Sequence, residues 1–388
     1  MNPVPTASDY RTLPLELEHQ IIGQLDSLSD LEALRTCALV HTSWRTRAQS
    51  LLFEEVDLRY THGPLFAKLL DDSPHIGPYV KILTVREGNG RKDYEPKFAD
   101  EILPRIAPAL DNLHTLSIEQ AATNLSPSTR AALGACLGRS LRTLKLVHFL
   151  TDTMHDFIKF IIGFPLLENL ELNGTACLDG DDSGPVTLAM PPSFNIKHLY
   201  VKWMGSYEDI FRWFIDVDND RQLSVRSFEV ELTPENGAVV GQFLRRVGPV
   251  LEEYTTSMRH IPMNSDIAAM VKEVSISSNT SLRKLILDSI IIYGGDASFT
   301  RSGWVPMLLE EATSPLLIDL EFRVWYRDTS DLRALKLPLL DGLLTSPKFP
   351  SLRRVVFTLY GSDHTDDGIA EIKTEMPGLA GKGALVFL

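Results

Sequence analysis

The feature that most restricts what this chain can fold into is a six-residue pattern, apolar at its first, fourth and sixth positions, that returns about every 30 residues. It reads "FEEVDL" at 53, "VKILTV" at 80, "LHTLSI" at 113, "LRTLKL" at 141, "LENLEL" at 167 and "IKHLYV" at 196. It continues as "VRSFEV" at 225, a poor "LEEYTT" at 251, "LRKLIL" at 282, "LIDLEF" at 317 and "LRRVVF" at 352, with intervals between 26 and 35. The pattern alone is weak, because in a chain that is 44% hydrophobic three specified positions match by chance in roughly one window in twelve. "LRALKL" at 332 fits it, yet reads as the start of a helix. The near-identity of "SLRTL" at 140, "SLRKL" at 281 and "SLRRV" at 351 is harder to obtain by accident. Self-similarity at this spacing marks a stacked array, which overrides the two or three domains that 388 residues would otherwise imply.

The stretches between hexamers carry helical spacing. "TDTMHDFIKFIIGF" places Met154, Phe157, Ile158 and Ile161 on one stripe, with Thr151 as the expected N-cap. "SDIAAMVKEV" does the same with Ile267, Met270, Val271 and Val274 behind Ser265. "SPSTRAALGACL" supplies Ser126 as cap and Pro127 at the first helical position. "SYEDIFRWFIDV" and "ENGAVVGQFLRRV" complete the alternation of strand and helix. Such an order predicts an α/β repeat with parallel strands inside and helices outside.

Residues 12 to 52 have another texture, three short helices in about 40 residues, near the size below which a domain seldom folds unaided. The first runs from Leu13-Pro14 and is expected to stop near Leu25 to Ser27. The second has Ser29 as expected N-cap, with Glu32 completing a capping box. The third carries Trp44, Ala48 and Leu51 on one stripe. Leu13, Leu15, Leu17, Ile21, Ile22 and Leu25 cannot all face one neighbour on a 3.6-residue period, so some need a second partner.

Composition narrows the function. A formal net charge of −13, from 38 basic and 51 acidic residues, disfavours nucleic acid, whose phosphates need a concentrated basic surface. The most apolar stretch, "FIKFIIGFPLL", is broken by Lys159 and Pro165, too short to span a membrane. No secretory signal is expected in "MNPVPTASDY". Cys37, Cys136 and Cys177 lie too far apart for a metal motif and read as reduced thiols, which fits cytosol or nucleus. "DVDND", with Asp216, Asp218 and Asp220, imitates a calcium loop, but Arg221 and Ser227 occupy the places of its glycine and bidentate glutamate. "DHTDDG" from Asp363 fails likewise, with Thr374 in the twelfth place, and reads as a helix cap. "YGGD" at 293 is a lone glycine turn, and His155 and His364 sit beside acids with no nucleophile nearby. No nucleophile elbow, Walker loop, dinucleotide fingerprint or zincin motif occurs. Neither catalysis by this chain nor a cofactor is expected.

Residues 12 to 58 resemble the F-box of fungal F-box proteins. The resemblance is carried by Leu13-Pro14, Glu16-Leu17, Ile21-Ile22, Leu25, the run "CALVHTSWR" from Cys37 to Arg45, and "LLFEEVDL". The remainder is similar to degenerate leucine-rich repeats, departing from regular ones in lacking the Asn or Cys that normally follows the strand. The fold so implied is a small three-helix F-box at 12–52, after a disordered 1–11, followed by an irregular leucine-rich-repeat solenoid at 53–388. The function implied is that of a substrate-recognition subunit of an SCF-type ubiquitin ligase. Its partners would be the Skp adaptor, a cullin scaffold reached through it, and an unidentified protein substrate. Carried onto this chain, the adaptor contacts would be Leu13, Pro14, Leu15, Ile21, Leu25, Leu31, Val40 and Trp44. Two other readings stand beside it: the helices as a cap on the array, and a ligase-independent scaffold or inhibitor.

In a solenoid of this kind the third, fifth and seventh residues counted from each hexamer start face away from the helices and select the substrate. They include His198, Tyr200 and Lys202, then Ser227, Glu229 and Glu231, then Glu253 and Thr255. Later repeats give Lys284 and Asp288, then Asp319, Glu321 and Arg323, then Arg354. Tyr200 with Trp203, and Trp325 with Tyr326, are candidate aromatic anchors, with ordinary packing the alternative for each.

Overall fold

The computed structural model describes residues 14–25, 29–87, 98–120, 125–177, 188–204, 207–216, 223–258, 266–292, 303–361 and 365–388. Residues 1–11, Leu13, Asp218, Asp220, Arg221, Ser265, the turn at 293–296, Asp363 and His364 lie outside the described residues. The chain forms two compact units, Met1–Lys145 and Leu146–Leu388.

The first unit opens with α1 (Leu15–Ile22), α2 (Leu31–Val40) and α3 (Thr42–Leu52). Pro14 holds the N-cap position of α1, and Gly23 closes it. Gln24 and Leu25 continue only in tighter turns, bonding to Ile21 and Ile22 carbonyls at 3.1 Å each, so the α-helix ends earlier than expected. Leu34 N–H donates to the Asp30 carbonyl at 3.0 Å. The first turn of α2 therefore closes on Asp30, not on Ser29 as the capping box implied. Ile22, Leu34 and Ala48 make the small core of these helices, with Leu25, Cys37, Ala38, Trp44, Leu51 and Leu52 packed at its margin. Trp44 Nε1 donates to Glu18 Oε2 at 2.8 Å, tying α3 to α1.

Strands β1 (Glu55–Arg59), β2 (Ile82–Arg86) and β3 (Thr115–Glu119) follow, separated by α4 (Gly63–Asp72) and α5 (Phe98–Ile106). They pair in parallel, with Glu55 opposite Ile82 and Ile82 opposite Thr115. α6 (Pro127–Leu137) starts as expected, with Ser126 Oγ accepting from Thr129 N–H at 3.2 Å. The division between units falls within β4 (Thr143–Val147).

In the second unit β5 (Leu150–Thr151) and β7 (Ala176–Cys177) form a two-stranded ribbon. The main parallel strands are β6 (Asn169–Asn173), β8 (His198–Lys202), β9 (Ser227–Glu231), β10 (Glu253–Ser257), β11 (Lys284–Ile291), β12 (Asp319–Trp325), β13 (Arg354–Tyr360) and β14 (Leu385–Phe387). Between them run α7 (Met154–Ile162), α8 (Tyr207–Asp216), α9 (Gly237–Val247), α10 (Ile267–Glu273) and further helices at Trp304–Glu311 and Leu337–Thr345. The expected stripe Met154, Phe157, Ile158 and Ile161 is buried. Its cap is Thr153, whose hydroxyl accepts from Asp156 N–H at 3.1 Å, while Thr151 is drawn into β5. α10 is capped by Asp266, which accepts from Ala269 N–H at 3.0 Å.

Each of the eleven hexamers becomes a strand that begins at the hexamer's third residue. Pairing keeps equal positions opposite one another: His198 faces Ser227, Ser227 faces Glu253, Glu253 faces Lys284, and Asp319 faces Arg354. The fourth and sixth positions are buried along the strands, Leu199 and Val201 for example. Helix side chains cover them, as when Phe211 and Phe243 meet Phe228 at ring-centroid distances of 5.8 and 4.9 Å. This is an α/β repeat of parallel strands with helices on one face. Close spacing of the helices depends on Gly241 in α9, where an added Cβ would lie 1.9 Å from the Glu273 carbonyl oxygen. Backbone cannot yield as a flexible side chain would, so Gly241→Ala is expected to destabilise the protein by about 1–3 kcal/mol. A lower urea midpoint with an unchanged m-value is the measurement that checks it.

Candidate functional site

Two surfaces stand out, one in each unit. On the first, the N-terminal helices leave large apolar side chains in solvent: Leu15, Leu17, Ile21, Leu31, Leu39 and Val40, with Ile21 58%, Val40 64% and Leu39 82% exposed. A single exposed leucine means little, but six within 26 residues, all on α1 and α2, are more apolar exposure than scattered surface residues account for. Of the expected adaptor contacts, Pro14, Leu15, Ile21, Leu31 and Val40 lie exposed. Leu25 and Trp44 instead pack at the margin of the helices' own core. Leu17 and Leu39 were not among the expected contacts, although Leu39 adjoins Val40 in the "CALV" run.

The second surface is a polar pocket of about 150 Å³ on the helix-free side of the sheet in the second unit, lined by Asn173, Tyr200, Lys202, Trp203, Glu231, Ser257, Asp288 and Ser289. Asn173, Lys202, Glu231, Ser257 and Asp288 are the seventh residues of successive repeats, one per strand from β6 to β11. Equal-position pairing sets them side by side, with Asn173 opposite Lys202 and Ser257 opposite both Glu231 and Asp288. Trp203 and Ser289 occupy the eighth position, where the backbone turns left-handed, φ 49° and 56°. The same turn recurs at Gln120, His148 and Gly174, each the eighth residue of its repeat. Strand alternation would send the eighth side chain to the helix side; the left-handed turn brings Trp203 beside Lys202, and Ser289 beside Asp288.

Lys202 is the pocket's electrostatic centre. Its ammonium lies 2.6 Å from Glu229 Oε1, 3.5 Å from Asp288 Oδ2 and 5.1 Å from the centroid of the Tyr200 ring. Burial alone would lower its pKa, but the hydrogen bond and charge of Glu229, with the fields of Tyr200 and Asp288, outweigh it and hold the ammonium above the ordinary lysine range. Burial raises the Tyr200 phenol, against the opposing pull of Lys202. Glu231 is 2% exposed at the base of the pocket.

The other expected substrate residues fall in different rows. Glu321 and Arg323 form an ion pair of 2.7 Å on β12. Lys284, Asp319 and Arg354 line up at the third position, the Arg354 Nε 3.5 Å from Asp319 Oδ1. His198, also at a third position, is exposed at the start of β8. Trp325 stacks on Tyr360, centroids 4.7 Å apart, whereas Tyr326 is buried and so belongs to packing. Asn173 and Ser257 occupy the seventh position that the sequence rule assigns to this face, although neither was named there; Ser289, at the eighth, lay outside the rule. Among the described residues no cluster of His, Cys, Asp and Glu could hold a metal ion, and no helix is long and apolar enough to cross a membrane.

No protein-family model and no curated protein matches the chain. Among solved structures it is similar to one described as "Crystal structure of Rad7 and Elc1 complex in yeast", at 14% identity over 90% of this chain and 89% of that one, with a TM-score of 0.33. A TM-score this low does not establish a common fold.

Removing the ammonium leaves Glu229 and Asp288 without the cation that they share. Lys202→Met is accordingly expected to destabilise the protein by about 1–3 kcal/mol, less than for a fully buried pair because water reaches these groups. Lys202 and Tyr200 both titrate above their ordinary values when folded. Their contribution is complete below the unfolded-state values, near about 10, and is lost as pH rises through the folded values. Denaturation followed as a function of alkaline pH should show that loss in the parent protein and a smaller one in Lys202→Met.

Proposed function

We propose that the chain is the substrate-recognition subunit of an SCF-type ubiquitin ligase, with α1 and α2 docking on a Skp adaptor and the helix-free face of the sheet holding a protein substrate. The observation that carries this reading is the uncovered apolar surface of Leu15, Leu17, Ile21, Leu31, Leu39 and Val40. It coincides with the segment whose residue order resembles an F-box. A helical cap on a repeat array turns its apolar residues toward the first repeat. Here only Ile22 of α1 and Leu34 of α2 are buried, so most of the apolar surface is left for another chain. A large apolar side chain contributes about 1.5–3 kcal/mol when taken from full exposure to full burial; these six are on average about half exposed, so covering them supplies roughly 5–10 kcal/mol gross, comparable with the about 4–15 kcal/mol that association costs.

Ubiquitin transfer itself belongs, on this reading, to other subunits. Because the docking residues are exposed, they can be changed without disturbing the fold. Ile21→Asp combined with Leu39→Asp is expected to abolish co-purification of a Skp adaptor and cullin while moving the unfolding free energy by no more than about 0.5 kcal/mol. Failure of the unaltered protein to co-purify with any adaptor would sink the proposal and favour a ligase-independent scaffold. Trp44→Ala is a poorer probe, since Trp44 packs against the helices' core and loss of binding could follow from unfolding.

A further inference from the structure

We infer that the rim formed by the starts of β11, β12 and β13 holds an unmodified acidic segment of the captured protein; that the segment belongs to a captured protein rests on the receptor reading above. The residues concerned come from the "SLRKL" and "SLRRV" repeats, whose likeness marks the array but whose charges serve neither the core nor the polar pocket. They are Arg283 and Lys284 in the first repeat and Arg353 and Arg354 in the second.

Strand register brings the two pairs together. Ile318 N–H donates to the Arg283 carbonyl at 2.8 Å and Arg353 N–H to the Ile318 carbonyl at 2.9 Å, so the second positions of these three hexamers are neighbours in turn. At the third position Lys284 lies opposite Asp319, and Asp319 opposite Arg354. The two rows on these strands thus hold Arg283, Lys284, Arg353 and Arg354 around a single carboxylate, Asp319, with Ile318 in the remaining place. Arg354 Nε reaches that carboxylate at 3.5 Å, and one acid cannot neutralise four cations. The acids bordering the rim are Glu253, opposite Lys284, and Glu252, which Arg226 holds at 3.4 Å. Arg283, Arg353 and Arg354 are exposed, and Lys284 is half-buried.

A cationic rim is out of keeping with a chain of net charge −13, and that contrast selects its occupant. Duplex nucleic acid or an anionic bilayer would set a long array of negative charge against the rest of an acidic surface, which repels it. A short acidic segment meets the rim alone. Strands about 4.8 Å apart put the β11 and β13 cations roughly 10 Å from one another. An extended chain rises about 3.3 Å per residue, so carboxylates three residues apart match that separation. Arginine, the residue at 283, 353 and 354, engages a carboxylate through two parallel N–H donors.

The test uses the full chain and isothermal titration with three probes. The first is a seven-residue peptide with glutamate at its first, fourth and seventh places and glycine and serine between; the second replaces each glutamate by glutamine; the third is a short DNA duplex. The glutamate peptide is expected to bind at least about tenfold more tightly than the glutamine peptide, with an affinity that falls as salt is raised. Arg283→Gln combined with Arg353→Gln should weaken it by about fivefold with an unchanged melting temperature. Lys68→Gln combined with Lys159→Gln removes the same charge from exposed positions on α4 and α7 and should leave the affinity as it was. If the rim double variant does not fold, Arg353→Gln alone takes its place, with about twofold weakening expected. Equal affinity for the two peptides, no binding of the glutamate peptide, an equal loss in the α4 and α7 variant, or tighter binding of the duplex would each overturn the inference. Adaptor co-purification from the same preparations separates the two proposals. Binding of the glutamate peptide without adaptor removes only the receptor reading, and adaptor without peptide binding removes only this one.

Discussion

The parallel pairing of equal hexamer positions is the constraint from which the rest of this protein follows. A slip of one residue would turn every buried side chain to the open face. Apolar residues at the fourth and sixth positions therefore fix the register of each strand against the next. Once the third residue lies opposite the third, all later positions align as well, and neighbouring strands about 4.8 Å apart turn positions into rows. The sixth-position row carries the stack of Phe322, Phe357 and Phe387, with centroid distances of 4.9 and 6.1 Å. The seventh-position row becomes the polar pocket. Core and candidate site are two rows of one alignment.

The N-terminal helices obey a different limit. A core of Ile22, Leu34 and Ala48 with a few partly buried neighbours is small for three helices, and six large apolar side chains of α1 and α2 face water. Trp44 and Glu18, joined by a hydrogen bond, fix how α1 meets α3. That geometry leaves Ile21 outward when Ile22 turns inward, the separation expected when a short amphipathic helix serves two neighbours at once.

Much of this was legible in the sequence, because period and position are sequence properties. All of the marked hexamers are strands, even the weak "LEEYTT", where Tyr254 packs as a phenylalanine would, stacked on Phe228 at 5.8 Å. The last strand, β14, escaped because Lys382 stands where its hexamer's first apolar residue belongs. Helix caps were misplaced by one or two residues at Asp30 and Thr153, since neighbouring Ser, Thr and Asp are nearly equal as caps and only the closing backbone bond chooses among them. Tyr200, Lys202, Trp203, Glu231 and Asp288 were named from the sequence and meet in one pocket. Ser257 and Asn173 fall on the seventh position that the rule assigns to this face but were not singled out, since a small or amide side chain carries no signal of its own; Ser289 depends on a backbone turn that no residue type announces.

That turn is occupied by glutamine, histidine, tryptophan and serine at Gln120, His148, Trp203 and Ser289, residues with little in common. A left-handed conformation costs an ordinary residue about 1–2 kcal/mol, and that strain is set by the loop the chain must make, whichever of these side chains it bears. Replacing one of them with another should therefore leave the scaffold nearly indifferent while altering what it presents to a visitor. The eighth residue is in effect an interchangeable fitting on a fixed rail, the place where a lineage of such proteins could change its quarry without rebuilding its frame.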